Sequence, residues 1–106
     1  MANKVIYSVT VNIDADVHDE WLQYMTEIHI PDVMATGCFL GSRMLKMQES
    51  PDVEGFTYNF QYLVKDLDTY ENYKVVYAPG LQAAVNNKFE GKFLAFRTLL
   101  DMVAEF

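Results

Sequence analysis

Two stretches of alternating side chains, residues 5–13 and 56–64, constrain the fold most strongly. Apolar residues recur at every second position of both stretches, which is typical of β-strands with one buried face. The buried positions are then Val5, Tyr7, Val9, Val11, Ile13, Phe56, Tyr58, Phe60, Tyr62 and Val64. The opposite positions include Ser8, Thr10, Asn12, Thr57, Asn59 and Gln61, which carry hydroxyls and amides but no charge.

A helix is predicted after the first alternating stretch. Asp16 is placed to cap its N-terminus, and apolar residues then recur at helical spacing from Val17 to Ile28. Because a residue before proline avoids the α conformation, Pro31 should break this helix at Ile30. Pro31 can start a further helical turn. Gly37, in the left-handed conformation, can end that turn.

The second half of the chain repeats this order. Residues 38–47 form another predicted strand, in which Gly41 marks a bulge or a close backbone approach. Asp68 with Glu71 forms a capping box for a second helix, which Pro79 interrupts and restarts. Residues 93–100 form the last predicted strand.

The resulting order is strand, helix, strand, strand, helix, strand, with residues 49–55 as a polar hairpin connection. This order predicts an α+β, ferredoxin-like βαββαβ fold: a four-stranded antiparallel sheet with both helices on one face. We find no linker or second boundary, so residues 1–106 are predicted to form a single domain.

The uncharged polar face of the sheet suggests a partner. A face in contact with water more often carries Lys and Glu, whereas small neutral groups suit two sheets that meet. We therefore predict a homodimer whose sheets face each other. The alternative is an ordinary solvated sheet.

Charge and composition exclude several partners. The chain has 15 acidic and 8 basic residues and a formal net charge of −7, which argues against binding to nucleic acids or anionic membranes. No apolar run approaches the ~20 residues of a membrane span. The N-terminus lacks the apolar block of a signal peptide, and the single Cys38 has no disulfide partner within the chain, so a cytoplasmic location is predicted.

The run HIPDVMATGCF at residues 29–39, EWL at residues 20–22 and AFRT at residues 95–98 carry a family resemblance. With the opening strand, they make the chain resemble a bacterial family named domain of unknown function 4286. The resemblance covers nearly the whole chain. It implies the dimeric α+β barrel superfamily, which includes quinone- and antibiotic-forming monooxygenases, haem-degrading enzymes, lyases, cyclases and stress-induced barrels.

The resemblance implies a fold and a cleft location rather than a chemistry. Haem-degrading members of the superfamily use an Asn, a Trp and a His from particular strands and the second helix. Here Trp21 and His29 both lie in the first helical region, and the second helix contains no His. We therefore predict no cofactor.

His29 is the candidate catalytic residue. At the end of a helix, where the dipole favours a cation, it could act as a general acid or base, or as a donor to a substrate oxygen. It could equally bond the last carbonyls of its own helix. His18 lies about 16 Å further back along the helix axis, and no set of residues has metal-ligand spacing, so no metal site is predicted.

The candidate ligand-binding residues are Trp21, Tyr24, Tyr62 and Arg97. Trp21 and Tyr24 either belong to the core or form a cleft wall for a flat apolar ligand. Tyr62 needs a partner for its hydroxyl or lines a pocket. Arg97 either holds a substrate carboxylate or pairs with an acid across the dimer.

These residues leave three functions open. The first is a homodimeric barrel that binds a small apolar or aromatic ligand or another molecule. The second is a cofactor-independent monooxygenase, lyase or isomerase acting on a small aromatic or polyketide-like compound, with His29, Trp21, Tyr24 and Arg97 beside an aromatic cleft. The third is an assembly subunit without a ligand.

Overall fold

The computed structural model describes residues 3–48 and 54–106, and its sheet has the strand order β2-β3-β1-β4. All neighbouring strands are antiparallel, so the α+β, ferredoxin-like fold predicted from the sequence is confirmed. The predicted connection at residues 49–55 lies largely outside the described residues. The strands are β1 (Val5–Ile13), β2 (Gly41–Lys46), β3 (Phe56–Val64) and β4 (Phe93–Asp101).

The central strand β1 pairs along its whole length with β3 on one side and β4 on the other. The predicted limits of β1 and β3 agree with the structure, and β4 is one residue longer than predicted. Strand β2 is shorter, because it begins at Gly41 rather than Cys38. A Cβ at Gly41 would meet open space, and Gly41 pairs with Leu63 in a register that runs unbroken along β2, so the predicted close approach and the predicted bulge are both wrong.

The helices are α1 (His18–Tyr24), α2 (Ile30–Ala35), α3 (Leu67–Val76) and α4 (Ala78–Lys88). They cover one face of the sheet, which we call the covered face. Its apolar side chains form the core with residues from the helices and include a layer of stacked and tilted aromatic rings. The largest fully buried side chains are Trp21, Phe60, Ile13, Val5, Val33 and Val64. None of the described helices has the length and apolar character needed to span a bilayer.

The first helical stretch does not break at Ile30. A π-helical segment, Met25–His29, joins α1 to α2, and Met25 and Ile30 both have right-handed helical dihedral angles. In an α-helix the ring of Pro31 would clash with the carbonyl of Glu27. The wider π turn before Pro31 changes that spacing, so the helix continues to Ala35. Its end is followed by a left-handed Gly37, as predicted.

Both predicted N-caps are wrong. Asp16 lies in a 3₁₀ turn, where its carboxylate pairs with Lys92 Nζ at 2.9 Å instead of capping α1. The cap of α3 is Asp66 rather than Asp68, because Asp66 Oδ1 accepts a 2.8 Å hydrogen bond from the backbone N–H of Thr69. The predicted interruption before Pro79 is present at Tyr77, which separates α3 from α4.

The other side of the sheet, which we call the open face, carries polar side chains that bond to one another. Asn59 Nδ2 donates to Ser8 Oγ at 2.9 Å and to Thr10 Oγ1 at 3.1 Å, which ties β3 to β1. Asn12 Nδ2 likewise donates to Thr57 Oγ1 at 3.0 Å. These hydrogen bonds give the amide nitrogens of Asn12 and Asn59 partners within the chain.

The outer strands make the open face more apolar than the alternation of β1 and β3 suggests. Phe96 lies opposite Thr10 and Leu94 opposite Asn12, so both side chains project from the open face. Phe96 is 64% exposed and Leu94 is 79% exposed. Leu100 and Leu45 add further exposed apolar surface, and Arg43 supplies a charge on the edge strand β2.

Gly55 provides a test of the turn that leads into β3. It has a φ of +76°, and a Cβ added there would overlap the backbone carbonyl of Ile13. Gly91 has a similar φ of +74° but open space around it. We expect Gly91→Ala to cost about 1–2 kcal/mol for the left-handed backbone alone. Gly55→Ala should lower the free energy of unfolding further, as measured by urea denaturation, and equal losses would contradict the described turn.

Candidate functional site

The candidate site is a cavity of about 50 Å³ between the helices and the covered face, which we call the inner cavity. Val9 and Ala95 form part of its floor on β1 and β4, while Val85 of α4 and Met25 of the π segment contribute apolar walls. A cavity of this size has room for a water molecule or a small chemical group. Polar groups line it as well as apolar ones, and four of them belong to residues nominated from the sequence.

Trp21 is fully buried and lines the inner cavity. Its ring packs against Tyr58 and Phe60, with centroid distances of 5.2 and 5.9 Å. Its indole N–H has no hydrogen-bond partner among the described residues. Because a buried donor without a partner costs about 1–3 kcal/mol, an acceptor placed in the cavity would be strongly favoured there.

His29 lines the same cavity from the π segment. Burial lowers its pKa below the usual value; Asp32 partly opposes this shift, and Arg97 adds to it. The predicted helix end at His29 is wrong, because the helix continues to Ala35, and burial favours the neutral ring. A neutral imidazole has one nitrogen free to accept a proton or a hydrogen bond.

Arg97 lies on β4 opposite Val9, so it projects from the covered face. Its Nε donates a 3.1 Å hydrogen bond to the hydroxyl of Tyr7. Burial raises the pKa of Tyr7, and the guanidinium of Arg97 opposes that shift. This position beside the cavity favours a ligand-binding role for Arg97 over pairing with an acid across the open face.

Tyr62 and Tyr24 differ in their relation to the cavity. Tyr62 lines it, stacks against Tyr7 with a centroid distance of 5.9 Å, and has a pKa raised mainly by burial. Tyr24 is not among the lining residues. Its ring instead packs edge-on against Phe89 at 5.6 Å, beneath Lys88 Nζ. The structure thus brings together Trp21, His29, Tyr62 and Arg97 but not Tyr24.

A second cavity of about 250 Å³, which we call the outer pocket, adjoins the first. Four residues line both spaces: Tyr7, Tyr73, Gln82 and Arg97. The outer pocket adds Tyr70, Lys74 and Pro79 from α3 and α4. Sequence reasoning missed Gln82 and Lys74 as site residues. Helical spacing places Tyr70, Tyr73 and Lys74 on one side of α3, but it does not show what that side faces, and it gives no signal for Gln82.

His18 does not line the inner cavity, and both of its ring nitrogens contact other side chains. Its Nε2 lies 2.7 Å from the Tyr58 hydroxyl, and its Nδ1 lies 2.9 Å from Asp19. Within the described part of the chain, no group of three His, Cys, Asp or Glu side chains is placed to hold a metal ion.

Comparisons with known proteins concern the family and the fold. The sequence model of a family described as "Domain of unknown function (DUF4286)" matches residues 4–103. No curated protein matches the chain significantly.

Similar solved structures have little sequence in common with this chain. A dimeric ferredoxin-like protein from an uncultured marine organism has a TM-score of 0.75 at 10% identity, covering 97% of both chains. An ethyl tert-butyl ether d (ethd) family protein from Bacillus halodurans has a TM-score of 0.68 at 13% identity, covering 96% of this chain and 99% of that one. SnoaB, a cofactor-independent oxygenase from Streptomyces nogalater, has a TM-score of 0.68 at 10% identity, covering 99% and 98%. At these identities the likeness shows a shared ferredoxin-like fold.

The protonation of His29 can be measured directly, because the chain has 2 histidines. We expect His29 to titrate below 6.5 in an NMR pH series, with the His29→Gln variant assigning its signal. The unfolded chain then binds the proton more readily than the folded chain. The free energy of unfolding should therefore fall as the pH decreases through the usual pKa of histidine. The loss of unfolding free energy from about pH 7.5 to about pH 5.5 should therefore be smaller in His29→Gln. A midpoint at or above 6.5 would contradict the buried position.

Proposed function

Because this chain belongs to the DUF4286 family, whose name specifies no reaction, we propose a function from the site itself. The protein is a homodimer that binds a small apolar or aromatic compound in the outer pocket, with one part of the compound reaching into the inner cavity. The sole cysteine, Cys38, is a buried free thiol, which supports a location in the reducing cytoplasm.

The unpartnered indole N–H of Trp21 carries the ligand-binding proposal. Ligand sites are concave and mostly apolar, with a few polar groups that fix the orientation of the ligand. Here Trp21 supplies a buried donor and neutral His29 an acceptor, and both line a cavity with aromatic and aliphatic walls. A ligand carbonyl or hydroxyl at this point would satisfy the indole, while the rest of the ligand extends past the aromatic walls into the outer pocket.

The open face supports the homodimer. Contiguous exposed apolar surface marks an interaction site, and a symmetric dimer would bring two copies of the same face together. Phe96 and Leu94 supply that surface, while the amides of Asn12 and Asn59 are already bonded within the sheet and would enter an interface without loss of partners. Two proteins of similar fold are described as dimeric ferredoxin-like proteins.

A second candidate is a cofactor-independent monooxygenase, lyase or isomerase acting on a small aromatic or polyketide-like compound. Neutral His29 could accept a proton from a bound compound, and Trp21 and Arg97 could donate hydrogen bonds to the oxygen that becomes negatively charged. The fold shared with a cofactor-independent oxygenase agrees with this possibility.

Sedimentation velocity tests the homodimer. We expect the wild type to sediment as two chains of 12.2 kDa each and Phe96→Lys as one, because a charge buried between two sheets is unfavourable. Val75→Lys is the matched control, since Val75 is 73% exposed on α3 and lies away from the open face. A wild type that sediments as a single chain would overturn the dimer proposal.

Calorimetric titration with 2-naphthamide, a neutral aromatic probe, tests the ligand site. We expect one molecule to bind per chain, and Ala95→Phe to weaken binding at least about tenfold by filling the floor of the inner cavity. Ala84→Phe, on an exposed part of α4, adds the same side chain away from the cavity and should leave the affinity unchanged. Equal effects of the two variants, or no binding to the wild type, would argue against this site.

A further inference from the structure

The outer pocket has a charge opposite to that of the whole chain. The chain carries 15 acidic residues against 8 basic ones. The pocket is nevertheless bordered by two cations, Lys74 and Arg97, and no Asp or Glu is among its described lining residues. Although carboxylates are abundant elsewhere on this chain, the two cations around this concave space favour the binding of an anion there.

The guanidinium of Arg97 is held in place but not neutralised. Its Nε–H donates to the Tyr7 hydroxyl at 3.1 Å, which leaves the two terminal amino groups for another acceptor. Among residues 3–48 and 54–106, no carboxylate forms an ion pair with it, and no other hydrogen bond from it is present. A guanidinium in this state matches the two oxygens of a carboxylate in a planar, bidentate geometry.

Lys74 is also available to a ligand. Its Nζ lies 4.0 Å from Glu71 Oε2, at the limit of an ion pair, and both side chains are more than half exposed. Exposed pairs of this kind contribute little stability, so an anion in the pocket can compete for the ammonium group.

The remaining polar groups of the pocket are neutral donors. Burial is the main cause that raises the pKa values of Tyr7, Tyr70 and Tyr73, so these hydroxyls stay protonated at neutral pH. They add aromatic surface and O–H groups without adding negative charge. Gln82 contributes an amide between the outer pocket and the inner cavity.

We infer that the ligand of this protein is a small aromatic carboxylic acid. Its carboxylate binds between Arg97 and Lys74 in the outer pocket, and its ring lies against the tyrosines and extends toward Trp21. This inference rests on the proposed ligand-binding function and specifies the chemical class of the ligand.

Two probes of nearly identical shape test the inference: 2-naphthoate, which is an anion, and 2-naphthamide, which is neutral. In calorimetric titrations the wild type should bind 2-naphthoate about tenfold or more tightly than 2-naphthamide, as expected for hydrogen bonds to a charged group. In Arg97→Gln the ratio of the two affinities should fall to about one, and this ratio is independent of any affinity that the substitution removes from both probes alike. Lys74→Gln should reduce the preference by a smaller factor.

Lys88→Gln is the matched charge control. It removes one positive charge from α4, where Lys88 pairs with Glu20 at 3.4 Å and does not line either space. It should retain the full preference for the anion. If Lys88→Gln lost as much of that preference as Lys74→Gln, net charge alone would explain the effect, and the inference would be overturned. Acetate should bind far more weakly than 2-naphthoate, and equal affinity would overturn the role of the aromatic ring.

The outcomes separate the two proposals. If 2-naphthamide and 2-naphthoate bind equally well, the ligand site stands and the carboxylate inference is wrong. If neither probe binds, both proposals fail. If Arg97→Gln does not fold, Lys74→Gln decides, because its side chain is exposed and its substitution leaves the core intact. An unchanged preference in Lys74→Gln would then contradict the inference.

Discussion

The pairing of β1 on both of its edges is the constraint on which the rest of the structure depends. Each residue from Val5 to Ile13 has a partner on β3 and another on β4, so β1 fixes which side chains of three strands share a face. A slip of one residue would exchange the two faces. If β4 slipped by one residue against β1, Arg97 would leave the cavity and Phe96 would be forced beneath the helices. One register therefore sets both the ligand site and the proposed interface.

The sequence predicted the strands better than the helix ends, for a physical reason. Alternation in β1 and β3 is a property of many side chains at once, and burial of a whole face enforces it. A helix cap depends instead on the backbone angles of one residue. Asp66 and Asp68 are equally suitable by residue type, and the chain path out of β3 places Asp66 in the extended conformation that a cap needs. Likewise, the π segment before Pro31 has no signature in residue type alone.

The candidate site was predictable to a similar degree. Trp21, Tyr62 and Arg97 could be named because each lies on an apolar stripe or strand, and His29 because it lies at the expected end of the first helix. The fold brings all four to one cavity. Tyr24 follows the same helical stripe as Trp21 but lies toward its flank, where it packs on Phe89. Lys74 and Gln82 were missed because their role depends on how α3 and α4 pack beside Tyr7 and Arg97. That arrangement is a tertiary property, which the pattern of either helix does not contain.

Strand β4 connects the two proposed functions. It has a single neighbour in the sheet, and most of its side chains are exposed. In an isolated chain it is therefore an open edge strand, which proteins usually cover or shield from pairing with other chains. Its covered side carries Arg97 and Ala95 at the cavity, whereas its open side carries Leu94 and Phe96. In the proposed homodimer, packing of the open side would restrain β4 from behind and so hold Arg97 against Tyr7. Because an arginine fork recognises a carboxylate only when its position is fixed, burying the open side of β4 would preorganise the pocket that the covered side forms.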